Sequence, residues 1–213
     1  MGLNIGYLTA GRTSLSDEVL TPRYAVEPIV KYLRRKEFRT ILCPFDKQDS
    51  WFVRVLVKNG FKVVFSHLQD GKDFFSYTKE ELREIDCIVS NPPYSIKTQV
   101  LRRLYELGVP FMMLLPQNCL QSKERTALFI QYGLEYLGFD SRICFYSNND
   151  LTHIKTGNSF ASGYFCWNVL PEKLVFEKIV LIQEQYSGAP YVPPPPVNKQ
   201  KDDDWKKMRD LCS

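Results

Sequence analysis

The chain lacks most of the features that would fix its class at once. No run approaches the ~18 apolar residues of a membrane-spanning helix, so no membrane partner is expected. Met1 to Ala10 has no basic flank leading into a long apolar core, which argues against a signal peptide. There are only two histidines, His67 and His153, and none of the six cysteines falls in a Cys-x-x-Cys pair. That is poor material for a zinc site, and no metal is expected. Cys43, Cys87, Cys119, Cys144, Cys166 and Cys212 are widely scattered, most of them within or beside apolar runs. They read as small hydrophobes and not as a disulfide framework, which suits a reducing cytoplasm. Strong charge is absent too. A net charge of +4 and a pI near 8.6 permit a polyanionic partner without demanding one. No internal repeat is present.

What is present is ordinary globular composition, 44% hydrophobic and 24% charged over 213 residues. That length suits one domain with a sizeable core or a domain plus a small appendage. The centre of interest is Asp86-Cys87-Ile88-Val89-Ser90-Asn91-Pro92-Pro93-Tyr94-Ser95. A short apolar run stopped by two prolines reads as a buried strand ending abruptly at a sheet edge. Pro92 and Pro93 have fixed φ and no N–H, so the turn is stiff. Asn91 and the Pro92 carbonyl offer acceptors to an amino group, and Tyr94 offers a ring for stacking. A plain diproline turn is the competing interpretation of these four residues.

The flanking chain alternates strand and helix patterns. Thr21-Pro22 reads as a helix start, with Thr capping and Pro at the first helical position. Ala25, Ile29, Val30 and Leu33 then share a face, with Arg34, Arg35 and Lys36 at the end. Thr40 to Cys43 reads as a strand. Pro44-Phe45-Asp46-Lys47-Gln48-Asp49-Ser50 follows, and then a helix from Trp51 that stops at Asn59-Gly60. Strand–turn–helix is the first half of a mononucleotide-binding unit. Phe61 to Ser66 is the next strand, ending at His67, and Asp70-Gly71-Lys72-Asp73-Phe74-Phe75 makes a turn. Ile96, Val100, Leu101 and Leu104 follow helical spacing, with Gly108 as the stop. Val109 to Pro116 has the uniform apolarity of a central parallel strand. Gln117-Asn118 would emerge at its end, on the same edge as Tyr94. Ala127, Leu128, Ile130, Leu134 and Leu137 suggest another helix, stopped by Gly138. Arg142 to Tyr146, Gly163 to Val169 and Leu174 to Ile182 suggest strands, and Ser147 to Ser159 a long polar loop. The fold class expected is α/β: a doubly wound, mostly parallel, seven-stranded Rossmann-like sheet.

Asn91-Pro92-Pro93-Tyr94 resembles the Asp/Asn/Ser-Pro-Pro-aromatic signature of amino-methyltransferases that use S-adenosylmethionine (SAM), and most closely the form in adenine-specific DNA methyltransferases. Thr21-Pro22 resembles motif X of that family, and Gly71-Lys72-Asp73-Phe74-Phe75 resembles motif III. The resemblance spans roughly residues 17 to 168 and has the motifs in the family's order. It departs from the family at the turn after the first strand. There the usual glycine-rich motif I is replaced by Cys43-Pro44-Phe45-Asp46-x-x-x-Ser50, similar to a variant in small phage-type adenine methyltransferases. The resemblance implies a methyltransferase domain over residues 17–185, flanked by an N-terminal arm (1–16) and a proline-rich, charged tail (186–213).

It also implies roles. Asn91, Pro92, Pro93 and Tyr94 would be catalytic. SAM would be held by Thr21, Pro22, Pro44, Phe45, Asp46, Ser50, His67, Asp73, Phe74 and Asn91. Either Phe74 or Phe75 would pack on the cofactor's adenine, and His67 is either a ribose contact or a polar strand end. Lys97, Gln117, Asn118, Asn148, Asn149 and Lys155 are candidate contacts to the substrate. The expected reaction is methylation of the exocyclic amino group of adenine in DNA. Adenine in RNA, a protein glutamine, or a lapsed fold retained as a binding module are the alternatives. No recognition domain of the usual size fits after Trp167. Specificity would then come from loops or from a second subunit, as in a homodimer.

Overall fold

A computed structural model describes residues 20–147, 150–154 and 160–179. The arm over 1–16, the tail over 186–213, and Asn148, Asn149 and Lys155 lie outside the described residues. Among the described residues there are nine strands: β1 (Thr40–Cys43), β2 (Lys62–Phe65), β3 (Cys87–Ser90), β4 (Phe111–Pro116), β5 (Glu135–Phe139), β6 (Tyr146–Ser147), β7 (Asp150–Ile154), β8 (Ser162–Trp167) and β9 (Leu174–Glu177). Among the same residues are the α-helices α1 (Arg23–Val26), α2 (Val30–Arg35), α3 (Trp51–Lys58), α4 (Lys97–Leu107) and α5 (Lys123–Tyr132), with short 3-10 turns between.

Seven strands form one sheet in the order β2-β1-β3-β4-β8-β5-β9. All run the same way except β8, which is antiparallel to both β4 and β5. Apolar side chains fill both faces. Ala25, Ile29 and Leu33, with Phe52 and Leu56 of α3, pack against Ile41, Cys43 and Val89 on one face. Val100, Leu101 and Leu104 of α4 pack against Leu42, Ile88 and Met113 on the other. The doubly wound, mostly parallel sheet is thus the one expected. Burial on both faces explains why β3 and β4 read as unbroken apolar runs. Cys43, Cys87 and Cys166, on β1, β3 and β8, are enclosed, and burial pushes each thiol well above its ordinary value. Among the described residues no helix is long and apolar enough to cross a membrane.

Local signals explain several boundaries. The Ser50 hydroxyl accepts the Val53 N–H at 3.2 Å and starts α3. Gly108 ends α4 at φ 74°, a left-handed position that favours glycine.

Four expectations need correction. Thr21 does not cap a helix: Pro22 occupies the cap position, α1 begins at Arg23, and the Thr21 side chain points elsewhere. The helix expected through Leu137 ends at Tyr132, where Gly133 turns the chain at φ 87°, and Glu135–Phe139 is strand β5. This strand lies inside the sheet with Glu135, Tyr136, Leu137 and Gly138 all buried, so no alternation marked it as a strand. The strand expected over Arg142 to Tyr146 is reduced to the Tyr146–Ser147 pair. The polar loop expected after it contains β7, which pairs with β6 in a separate two-stranded sheet.

Candidate active site

The chain leaves β1 toward β2 on one side and leaves β3 toward β4 on the other. The carboxyl ends of β1 and β3 therefore flank a topological switch point, the place where an open α/β sheet leaves a crevice for a ligand. The Pro44–Phe45 turn follows β1. It is held to the next strand by the Asp46 N–H donating to the Ser66 carbonyl (3.2 Å) and the Ser66 N–H donating to the Cys43 carbonyl (3.1 Å). The buried Tyr77 hydroxyl bonds the Ser66 hydroxyl at 3.1 Å, adding a third tie.

Asp46 is 7% exposed at the mouth of this crevice. Its carboxylate accepts a short hydrogen bond from the hydroxyl of Ser90, the last residue of β3. Burial pushes its pKa up to about 6, against the pull of hydrogen bonds from Ser90 and Ser50. Among the described residues, hydroxyls and not a cation hold this acid. A buried carboxylate with that surrounding is a place where a positive ligand is favoured.

Asn91 follows Ser90 directly. Its amide nitrogen donates to the Thr21 hydroxyl at 3.1 Å, which turns the carboxamide oxygen to the other side of the side chain. Pro92 is buried and Pro93 half-buried. The Tyr94 ring meets Phe160 edge-on at 5.7 Å and Phe145 at 6.5 Å. These contacts fix the plane of a half-buried ring beside the diproline turn. Lys97 folds back, its ammonium donating to the Tyr94 carbonyl at 2.8 Å, so it braces the turn.

The remaining sites expected from sequence fall around this centre. The Asp73 carboxylate accepts the Phe75 N–H at 3.0 Å and starts a 3-10 turn. Phe74 is 2% exposed and lies 5.0 Å from the Phe45 ring, so the turns after β1 and before β3 share a packed aromatic contact. Phe75, half-buried, is the more accessible ring of the pair. His67 Nδ1 accepts the Gln69 N–H at 3.2 Å, just past β2. Gln117 and Asn118 are exposed at the end of β4, on the same edge of the sheet as Asn91.

Several contributors were not found from sequence. Ser90 had one signal, a hydroxyl closing an otherwise apolar strand. Phe145 and Phe160 gave none, because the sheet and not the spacing brings them to Tyr94. Arg125 is 9% exposed inside α5. It donates to the Cys119 carbonyl (2.8 Å), the Thr98 hydroxyl (2.8 Å) and the Gln121 carbonyl (3.3 Å). It thereby ties the turn carrying Gln117 and Asn118 to the first turn of α4.

No protein-family profile and no curated protein matches the chain. Among solved structures, a predicted O-methyltransferase from Agrobacterium tumefaciens is similar over 73% of this chain and 85% of its own, with 13% identity and a TM-score of 0.35.

SAM carries an ammonium and a sulfonium charge, and the buried, cation-free carboxylate of Asp46 at the switch point fits such a group. Were it bound here, Asp46, with Ser90 and Ser50 supporting the acid, would hold it together with Asn91, His67, Asp73 and the Phe75 ring. The absence of glycine at the turn is met by Pro44 and Phe45, which shape it by fixed φ and aromatic packing.

Proposed function

We propose that the chain is a SAM-dependent methyltransferase that modifies the exocyclic amino group of adenine in DNA. The supporting observation is the meeting of three separated segments at one edge of the sheet. Thr21 is bonded to Asn91, Asp46 is bonded to Ser90, and Ser90 and Asn91 are consecutive. Those segments are the ones whose motifs resemble the family.

The chemistry follows from the acceptors. An aryl amine is a poor nucleophile because its lone pair is delocalised into the ring. The Asn91 carboxamide oxygen and the Pro92 carbonyl each accept one N–H, which favours a pyramidal nitrogen with its lone pair directed away from them. As positive charge develops on that nitrogen, the two fixed dipoles stabilise it. Tyr94 supports the base by stacking, with Phe145 and Phe160 holding its ring. In duplex DNA the base must leave the stack to reach this position. The bound cofactor supplies an electrophilic methyl group on sulfonium. Asp46 contributes the charge that retains a cation beside the Asn91 turn.

Tritium transfer from SAM to DNA, RNA and protein substrates tests the proposal. Label in DNA adenine is the expected result. Label in RNA or in protein glutamine would reassign the substrate. Failure of folded protein to bind SAM in calorimetry would leave a binding module. Asn91→Ala should abolish transfer with SAM affinity changed much less, and retained transfer would overturn the mechanism.

A further inference from the structure

A second recess opens on the same edge of the sheet, in its other half. It measures about 150 Å³ and lies between Gln117 after β4, Gly138, Asp140 and Arg142 around the end of β5, Ser162 at the start of β8, and Phe176 of β9. Its walls are unusual in three respects. Phe176 is 66% exposed, although it sits on a strand of the sheet. Its ring lies against Gly138, where a Cβ would come within 2.7 Å of it, so a missing side chain lets the ring lie close to the strand. The Ser162 hydroxyl is buried with no hydrogen-bond partner among the described residues. Arg142 and Asp140 both line it, one charge of each sign, and the Asp140 carboxylate also accepts the Ile179 N–H at 3.1 Å.

Each property narrows the occupant. A space of about 150 Å³ is the size that accepts one benzene-sized ring. The Gln117 amide and the Ser162 hydroxyl require a ring with its own donors and acceptors, since an apolar ring would leave them unsatisfied. One positive and one negative side chain give no net preference for phosphate or carboxylate, so the ring is neutral. An exposed phenyl face suits stacking. These requirements describe a nucleobase.

We propose that this recess receives a nucleobase of the substrate strand outside the target position, stacked on Phe176. The inference rests on the DNA-methyltransferase function proposed above and adds a site for sequence context. β5 stands three strand spacings from β3 in the sheet order, or roughly 14 Å, and DNA rises about 3.4 Å per base step when stacked and more when extended. The bound base would then lie roughly two to four nucleotides from the methylated adenine. The other neutral amino-bearing ring at hand is the adenine of SAM. Asp46 and the turn at Asp73 place that ligand on the far side of β3.

The test uses the full-length chain and DNA with a single methylated adenine, chosen by mapping methylation on unmodified genomic DNA. 5-Iodouracil is placed at each position around that adenine, and photocross-linked peptides are identified by mass spectrometry. A cross-link to Phe176 from one position two to four nucleotides away is expected. Phe176→Ala should raise the KM for DNA about tenfold, the size expected for one stacked base, with kcat and SAM affinity held within about twofold. Phe176→Tyr should behave as wild type. An unchanged KM, or cross-links confined to other residues, overturns the proposal while the methyltransferase function stands. Weakened SAM binding in Phe176→Ala would assign the recess to the cofactor instead. If the wild-type chain transfers no methyl group to DNA, both proposals fall together.

Discussion

Thr21 and Asn91 lie 70 positions apart in the chain and meet at 3.1 Å, the Asn91 amide donating to the Thr21 hydroxyl. The bond sets which end of the carboxamide is free; on the proposed function, that end is the acceptor for the target amino group. Thr21→Val keeps the shape and removes the acceptor. The expected cost is about 1 kcal/mol of stability, a Tm lower by roughly 2–4 °C. kcat should fall by about tenfold or more, since a carboxamide free to turn presents N–H where an acceptor is needed. SAM affinity should change little and Thr21→Ser should restore kcat. Unchanged kcat in Thr21→Val, measured by methyl transfer at saturating substrate, would contradict this role.

Asp46 makes stability depend on pH in an unusual direction. Its carboxyl is raised from 3.8 to about 6, so the folded protein keeps the proton after the unfolded chain has lost it. Between about pH 4 and pH 6 the folded state binds more protons, and the contribution of this group to stability falls as pH rises. The full effect is on the order of 3 kcal/mol. Asp46→Asn should flatten this part of the profile and raise Tm at pH 8, because a neutral amide can still accept the Ser90 hydroxyl. The same variant should bind SAM more weakly above pH 6, where wild type presents a carboxylate to the cation. Denaturant melts and calorimetry from pH 4 to 8 check both signs. A variant as stable as wild type at pH 8, or one that binds SAM equally well, would refute the role.

Arg125 is a buried cation satisfied by two carbonyls and a hydroxyl on separate turns. Arg125→Met fills much of the same volume but leaves those acceptors unpaired. The expected loss is about 2–3 kcal/mol, or a Tm lower by on the order of 5–10 °C for a chain of this size. Arg125→Lys should recover only part, because one ammonium cannot span the three directions that a guanidinium fork reaches. Thermal melts of the two variants provide the check. Equal melting of wild type and Arg125→Met would show that the turn holds without it.

The parts of the fold set by local chemistry were legible in the sequence. Ser50 at the start of α3 and Gly108 at the end of α4 act where their residue types predict. The apolar runs of β3 and β4 sit between covered faces. Over residues 133–139 the helical spacing of Leu134 and Leu137 hides strand β5, whose residues 135–138 are all buried and so show no alternation. Gly133, and not Gly138, was the stop.

At the candidate site, the stiffness of the Asn91 turn and the polar character of Asp46 could be read directly. That Thr21 serves Asn91 and not its own helix depends on a contact across the sheet. The partnership of Asp46 and Ser90 depends on β1 and β3 being neighbours, which strand order alone decides. Arg125 stands in the charged stretch Lys123-Glu124-Arg125, and nothing in the sequence sets it apart. The recess at Phe176 needs β8 reversed and β9 added beyond β5, and no periodicity in the sequence announces either.

The enclosed thiols of Cys43, Cys87 and Cys166 give the protein an internal stopwatch. They stand on three strands of one sheet, and alkylating reagents reach them only when that sheet opens. Among the cysteines of the described residues, Cys144 is half-buried beside β6 and should react first. Pulsed alkylation read peptide by peptide would therefore time the loosening of the periphery separately from the rupture of the centre. It would also show whether a bound ligand at the β1–β3 crevice slows one clock, the other, or both.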